Sequence, residues 1–185
     1  MNGWIGRILR VDLTSGAVYK EELNQTYAVH TLGQRGLALR YCLEASGRFV
    51  LMTGPLTGLL GACTNQFSAA FCTPAHNRVA AVSAGGHLGP ELKLAGYDGM
   101  ILEGVCEQPS YLTICNGQVE LLSAEEIWGK GVRDTTAYLL SHTCRQARVL
   151  CIGTAGERRS PWPRLSVRRI LAWAVVLVQC WEAWA

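Results

Sequence analysis

The chain has 185 residues and a mass of 20.2 kDa, with 49% hydrophobic and 17% charged residues. This fits one domain on the apolar side of globular composition, large enough to bury a core. The basic balance behind the formal charge of +3 lies in the residues from Arg158 onward, where five arginines face one acid. The rest carries 12 basic and 13 acidic residues, which argues against a nucleic-acid-binding body.

Trp4 to Leu23 reads as two β-prone runs around Thr14-Ser15-Gly16, a β-hairpin with a short glycine turn. Thr26 to Ala45 follows with helical spacing, punctuated by Gly33-Gln34-Arg35-Gly36. Leu37, Leu39, Tyr41, Cys42 and Leu43 are expected to form its buried face. Phe49 to Met52 is a strand running into the proline and glycine turn Gly54-Pro55-Leu56-Thr57-Gly58. Phe67 to Cys72 and Val79 to Ser83 read as two more strands. Gly85-Gly86 then opens a helix-like segment from His87 to Leu94, which Gly96 closes.

Met100 to Glu103 and Tyr111 to Cys115 are predicted strands. The second turns at Asn116-Gly117, the clearest hairpin signal in the chain, into Gln118 to Leu122. Ser123-Ala124-Glu125-Glu126 has the spacing of a helix capping box. Val132 to Thr143 reads as a helix and Arg148 to Ile152 as a strand before Gly153-Thr154-Ala155-Gly156-Glu157. The sum is a strand-rich α+β domain with mostly antiparallel sheets and a few helices.

Glycine is densest between Thr53 and Asp98, where seven occur, with Gly47 and Gly99 on the flanks. A strand leading into paired glycines and a helix start is a candidate anion cradle; a run of tight turns is the plainer reading. Neither a P-loop nor a Gly-x-Gly-x-x-Gly fingerprint is present. The eight cysteines are scattered without a Cys-x-x-Cys pair, which favours reduced core thiols over a metal site. His30, His76, His87 and His142 are equally dispersed. Asp98 with Glu103, and Glu125 with Glu126, are explained by capping and solvation. No nucleophile is specified, so the residues alone give a binding domain with no catalytic residue and no metal ligand.

The amino terminus lacks the pattern of a secretory signal. The apolar run from Ile170 to Cys180 is shorter than the roughly 20 residues of a spanning helix. A cytoplasmic location without membrane association is expected; a basic, membrane-associated protein is a reading that rests on the tail alone.

The words Gly6-Arg7-Ile8-Leu9-Arg10-Val11-Asp12-Leu13, Leu32-Gly33-Gln34-Arg35-Gly36-Leu37-Ala38, Gly54-Pro55-Leu56-Thr57-Gly58, Gly85-Gly86, Glu91-Leu92-Lys93, Ala95-Gly96-Tyr97-Asp98, Ile127-Trp128-Gly129-Lys130-Gly131 and Ala155-Gly156-Glu157 run in one order. In that order the chain resembles the amino-terminal domain of the aldehyde ferredoxin oxidoreductase family. The resemblance implies an enzyme with a tungsten or molybdenum bis-pterin cofactor and magnesium. Such an enzyme oxidises aldehydes to carboxylic acids and passes electrons through a 4Fe-4S cluster to ferredoxin. In that family this domain is the base on which the pterins lie, and later domains bring the cluster cysteines and most catalytic groups.

The resemblance further implies that Gln66, Ser83, Ala84, Gly85 and Gly86 lie against cofactor phosphate and its magnesium. The family usually has arginine at Gln66 and asparagine at Ser83, so a strong phosphate partner is missing here. The connection from Ala45 to Arg48 is also shorter than the family's proline-containing loop.

The division expected from this is a pterin-base domain over residues 1–157 and a non-homologous tail over 158–185. The tail contains four of the six tryptophans and no glycine. Tryptophan has a single codon, TGG, so one shifted frame can be read without the DNA. Starting at the last base of each codon, Trp162 before Pro163 gives alanine, and Trp173, Trp181 and Trp184 each give glycine. These fall in register with the family's next loop, Gly-Arg-Gly-Gly-Val-Gly-Ala-Val-Met-Gly. A frameshift near Arg158 is the resulting hypothesis, and sequencing the locus tests it: an intact frame with no offset Gly-Arg-Gly loop would sink it. On this reading the chain is a truncated domain, inactive alone, and its tail is a poor structural element. The alternative is a stand-alone structural or pterin-binding subunit that completes a separately encoded partner.

Overall fold

The computed structural model describes residues 3–45, 47–73, 78–143, 146–157 and 172–178. Strands β1 (Arg7–Asp12) and β2 (Ala17–Glu22) form the predicted hairpin, paired from Arg7↔Glu22 to Asp12↔Ala17. Asp12 closes its turn by accepting from the Thr14 amide at 2.9 Å and the Ser15 hydroxyl at 2.8 Å. The helical stretch that follows is two helices, α1 (Gln25–Thr31) and α2 (Gln34–Glu44). Asn24 caps α1 by accepting from the Tyr27 amide. The break comes at Leu32 and Gly33, with φ of 56° and 89°. A Cβ at Gly33 would stand 2.7 Å from the Trp4 ring and 3.0 Å from the Gly54 backbone, so this corner needs glycine.

The remaining elements are β3 (Phe49–Thr53), β4 (Phe67–Thr73), β5 (Arg78–Ala84), α3 (Leu88–Leu94), β6 (Gly99–Glu103), β7 (Ser110–Cys115), β8 (Gln118–Ser123), α4 (Val132–His142), β9 (Arg148–Cys151), a single turn α5 (Thr154–Glu157) and β10 (Ala172–Val178). Six strands form one sheet in the order β2-β1-β6-β3-β4-β5, and four form a second in the order β8-β7-β10-β9. The pairs β1–β6 and β7–β10 are parallel and the others antiparallel, which gives the expected α+β class.

Period-two alternation sorts the core into layers. Leu9, Val11, Leu51, Met100 and Leu102 leave one face of the large sheet and meet Leu112 and Ile114 of the small one, with Leu88 and Leu92 of α3. Ile8, Val50, Met52, Ala70 and Ile101 leave the other face and pack on Leu37, Ala38, Tyr41 and Cys42 of α2. Beyond the small sheet, Ile127 and Leu139 build a third cluster with Tyr111 and Cys115.

Three expectations need correction. Leu43 is 64% exposed and Leu39 only partly buried, because the pairs 37/41 and 38/42, four residues apart, take the face toward the sheet. Ser123 opens no α-helix. Glu125–Ile127 is one 3-10 turn without a side-chain cap, ended by extended backbone at Trp128 and positive φ at Gly129. The tail is structured at Ala172–Val178, where β10 pairs with β7 on one side and β9 on the other. Its run of valine and leucine suits a strand with a neighbour on each edge.

Asp98 organises the amino-terminal corner. Its carboxylate, fully buried, accepts from the Ile5 amide at 3.1 Å and the Gly6 amide at 2.6 Å, with Lys93 Nζ at 3.4 Å. Lys93 also donates to the Gly3 carbonyl at 2.5 Å and lies over the Trp4 ring. The Thr53 hydroxyl donates to the Asp98 carbonyl at 2.6 Å. On the opposite end of the sheet Glu103 accepts from both Arg10, at 3.1 Å, and Arg48, at 2.8 Å.

Burial pushes the Cys42, Cys106 and Cys151 thiols up from their ordinary value. A raised thiol pKa means that the fold disfavours thiolate. The stability this gives is complete below the ordinary thiol range, near 8.5, and is lost as pH rises through the folded values. Lys93, pulled down by burial against the opposing pull of Asp98, acts in the other sense but is one group against three. Urea midpoints are therefore expected to fall between pH 8 and 10, at roughly the pH where unfolded thiols ionise. A flat or rising midpoint over that range would contradict this linkage.

Candidate cofactor-binding face

The five residues singled out by the resemblance come together at one end of the β4–β5 ladder. Phe67 pairs with Ala84 and Ser68 with Ser83, so Gln66 and Gly85 extend the same two strands by one residue. Gln66, Ser83, Ala84, Gly85 and Gly86 are all exposed. A Cβ built on Gly85 or Gly86 meets nothing within 4 Å, and Gly86 has φ of 118°. The backbone here is an open, uncharged ledge at the rim of a buried sheet.

The loop after β3 locks this ledge in place. Thr57, 3% exposed, accepts from the Gly54 amide at 3.0 Å and donates to the Gln66 carbonyl at 3.0 Å. A Cβ at Gly89 would stand 3.0 Å from Thr57 Cγ2 and 3.4 Å from the Gln66 carbonyl oxygen, so the start of α3 packs directly on the loop. Leu56, Leu59 and Leu60 of this loop and Val82 of β5 are exposed apolar residues beside the ledge.

The helix contributes less than the sequence suggests. α3 has seven residues, and Glu91 in its first turn already complements its amino end. His87, its N-cap residue, makes no capping side-chain bond. Polar recognition at this face therefore rests on the strand ends, through Ser83, Gln66 and the Gly85-Gly86 backbone. The sequence reading missed Ser68, whose hydroxyl lies 2.8 Å from that of Ser83. Its signal was present: it is the only polar residue in the buried run Phe67 to Phe71.

The other candidate carboxylates have structural partners. Asp98 and Glu103 occupy the two polar nodes described above, and Glu126 accepts from the Tyr138 hydroxyl. Among the described residues no three His, Cys, Asp or Glu side chains gather as a metal site, and no helix is long and apolar enough to cross a membrane.

The fold is a mixed six-stranded sheet with α1 and α2 on one face, α3 and a second sheet on the other, and an open polar strand end. The chain belongs to the aldehyde ferredoxin oxidoreductase family, whose amino-terminal domain profile matches residues 8–167. The match continues beyond Glu157. The tungsten-containing aldehyde ferredoxin oxidoreductase of Pyrococcus abyssi is 33% identical over 170 residues, covering 86% of this chain and 28% of that protein. The aliphatic sulfonate oxidoreductase, WOR-like subunit, of Pyrococcus furiosus is 33% identical over 162 residues, covering 80% of this chain and 26% of that protein. Among solved structures, the active-site complex BamBC of benzoyl coenzyme A reductase with 1,5-dienoyl-CoA matches with a TM-score of 0.87 at 25% identity. That match covers 95% of this chain and 31% of the other. The chain thus spans little more than a quarter of the length of the curated relatives it matches.

Proposed function

We propose that this chain is the pterin-base domain of a tungsten-dependent oxidoreductase, with Gln66, Ser83, Ala84, Gly85 and Gly86 facing the cofactor phosphate and its magnesium. The observation that carries the reading is the open Gly85-Gly86 ledge beside the exposed Ser83, where edge strand β5 leaves the buried strand β4. The residues fit a phosphate-bearing group. They offer amide and hydroxyl donors, include no carboxylate, and leave the space in front of both glycines clear. When bound, the metal–pterin group supplies the redox chemistry that takes an aldehyde to a carboxylic acid.

The chain's own residues bind and orient; none is assigned a catalytic role. Electron transfer through a 4Fe-4S cluster to ferredoxin belongs to the whole enzyme, whose cluster ligands are expected in other domains. Similar identity to an aldehyde enzyme and a sulfonate enzyme supports a base that leaves substrate choice to the rest of the protein. On this reading the chain acts in the cytoplasm and is inactive alone.

Leu56, Leu59, Leu60 and Val82 favour a second reading beside it, a subunit whose cofactor face is covered by a separately encoded partner. The test is to purify the chain from tungstate-fed cells, alone and together with the carboxyl-terminal three-quarters of a tungsten relative. Pterin is measured by the fluorescence of its oxidised form, tungsten by mass spectrometry, and activity by aldehyde-dependent dye reduction. Cofactor in the co-purified pair, with activity only there, is the expected result. Dye reduction by the chain alone would refute inactivity, and absence of pterin from both preparations would refute the cofactor face.

A further inference from the structure

Ser68 is fully buried, and among the described residues its hydroxyl has one side-chain partner, the Ser83 hydroxyl at 2.8 Å. The two residues are directly opposed across β4 and β5, in a row that continues through Met52 to Gly99. Met52 and Ala70 pack this side of the sheet against α2, so the Ser68 hydroxyl sits at the margin of an apolar layer. Ser83, in contrast, is exposed at the ledge.

A buried O–H that donates to nothing is unfavourable, whereas an exposed hydroxyl can satisfy itself outward. That asymmetry favours one of the two polarities that the contact allows. Ser68 donates to Ser83 Oγ, and the Ser83 proton is left free to point away from the protein. Accepting one hydrogen bond also polarises the Ser83 hydroxyl as a donor.

From this we infer that Ser68 is a positioning residue that holds Ser83 as an outward hydrogen-bond donor to an anionic oxygen of the phosphate type. The inference rests on the proposed cofactor face and adds a direction to it. Ser83 reads an acceptor, and Ser68 is the reason that it does so.

The test is a double-mutant cycle on the full chain with inorganic phosphate as the probe, followed by 31P NMR titration, with urea midpoints to confirm that each variant is folded. Ser83→Ala is expected to weaken phosphate binding about tenfold, the worth of a hydrogen bond to a charged group. Ser68→Ala is expected to weaken it about threefold to fivefold. In the Ser83→Ala background, Ser68→Ala should change nothing further. Ser68→Thr keeps the hydroxyl and should stay within about twofold of the unmodified chain, which covers the case in which the alanine variant fails to fold.

The inference is overturned if Ser83→Ala weakens binding while Ser68→Ala does not, or if Ser68→Ala has the same effect with and without Ser83. Equal phosphate binding by Ser83→Ala and the unmodified chain is a different signature, and it would overturn the cofactor face itself and the inference with it.

Discussion

Asp98→Ala is expected to destabilise the chain by about 3–5 kcal/mol, the usual cost of breaking a buried ion pair from one side. The carboxylate is fully buried and satisfies the amides of Ile5 and Gly6, 93 and 92 residues away in sequence. Its removal strands those two amides. It also leaves the Lys93 ammonium, 9% exposed, with the Gly3 carbonyl and the Trp4 ring as its partners among the described residues. Burial already works against that charge, so an uncompensated ammonium is the larger part of the loss. Adding Lys93→Met to Asp98→Ala should therefore recover stability, although Lys93→Met alone removes a contact. Urea unfolding of the three variants and the unmodified chain settles it. A loss below about 1 kcal/mol would be the value of an exposed pair and would show that the corner is solvated.

This node also explains what the sequence did and did not reveal. Lys93 and Asp98 stand in two of the family words, and the expectation that capping and solvation explain Asp98 does not hold, since its carboxylate is fully buried. Their partners are residues 3–6 at the start of the chain, contacts across about ninety residues that no local pattern encodes. Elements with short-range causes were legible: the Asn116-Gly117 hairpin, with φ of 47° and 77°, and the strands whose apolar residues alternate. The Ser123 motif failed because a capping box describes only a helix entry, and the following Trp128 and Gly129 backbone does not continue the helix. Within the tail, Ala172–Val178 shows the limit of composition, since a valine-rich run reads as a liability until two strand edges are present to receive it. The site itself was half legible. Paired glycines after a strand marked the ledge, but the Thr57 tie to Gln66 and the Ser68–Ser83 pair exist only once the strands are in register.

Gln66→Arg is expected to raise phosphate affinity about tenfold at low ionic strength, because a guanidinium offers a charged, forked donor where the amide offers a neutral one. Gln66 is exposed at the head of β4, its carbonyl fixed by Thr57, one residue beyond the Phe67↔Ala84 pair and thus beside Gly85. The family resemblance places arginine there, and the ledge has no cation of its own among its five residues. The gain should shrink with added salt, since the new charge is solvent-exposed. Gln66→Lys should gain less, as a point charge cannot make the paired contact. The control is Gln118→Arg, the same change of charge at an exposed position on β8 in the other sheet. Binding that improves only at position 66 locates the anion at the ledge. Equal gains at both positions would reduce the effect to net charge and remove Gln66 from the site.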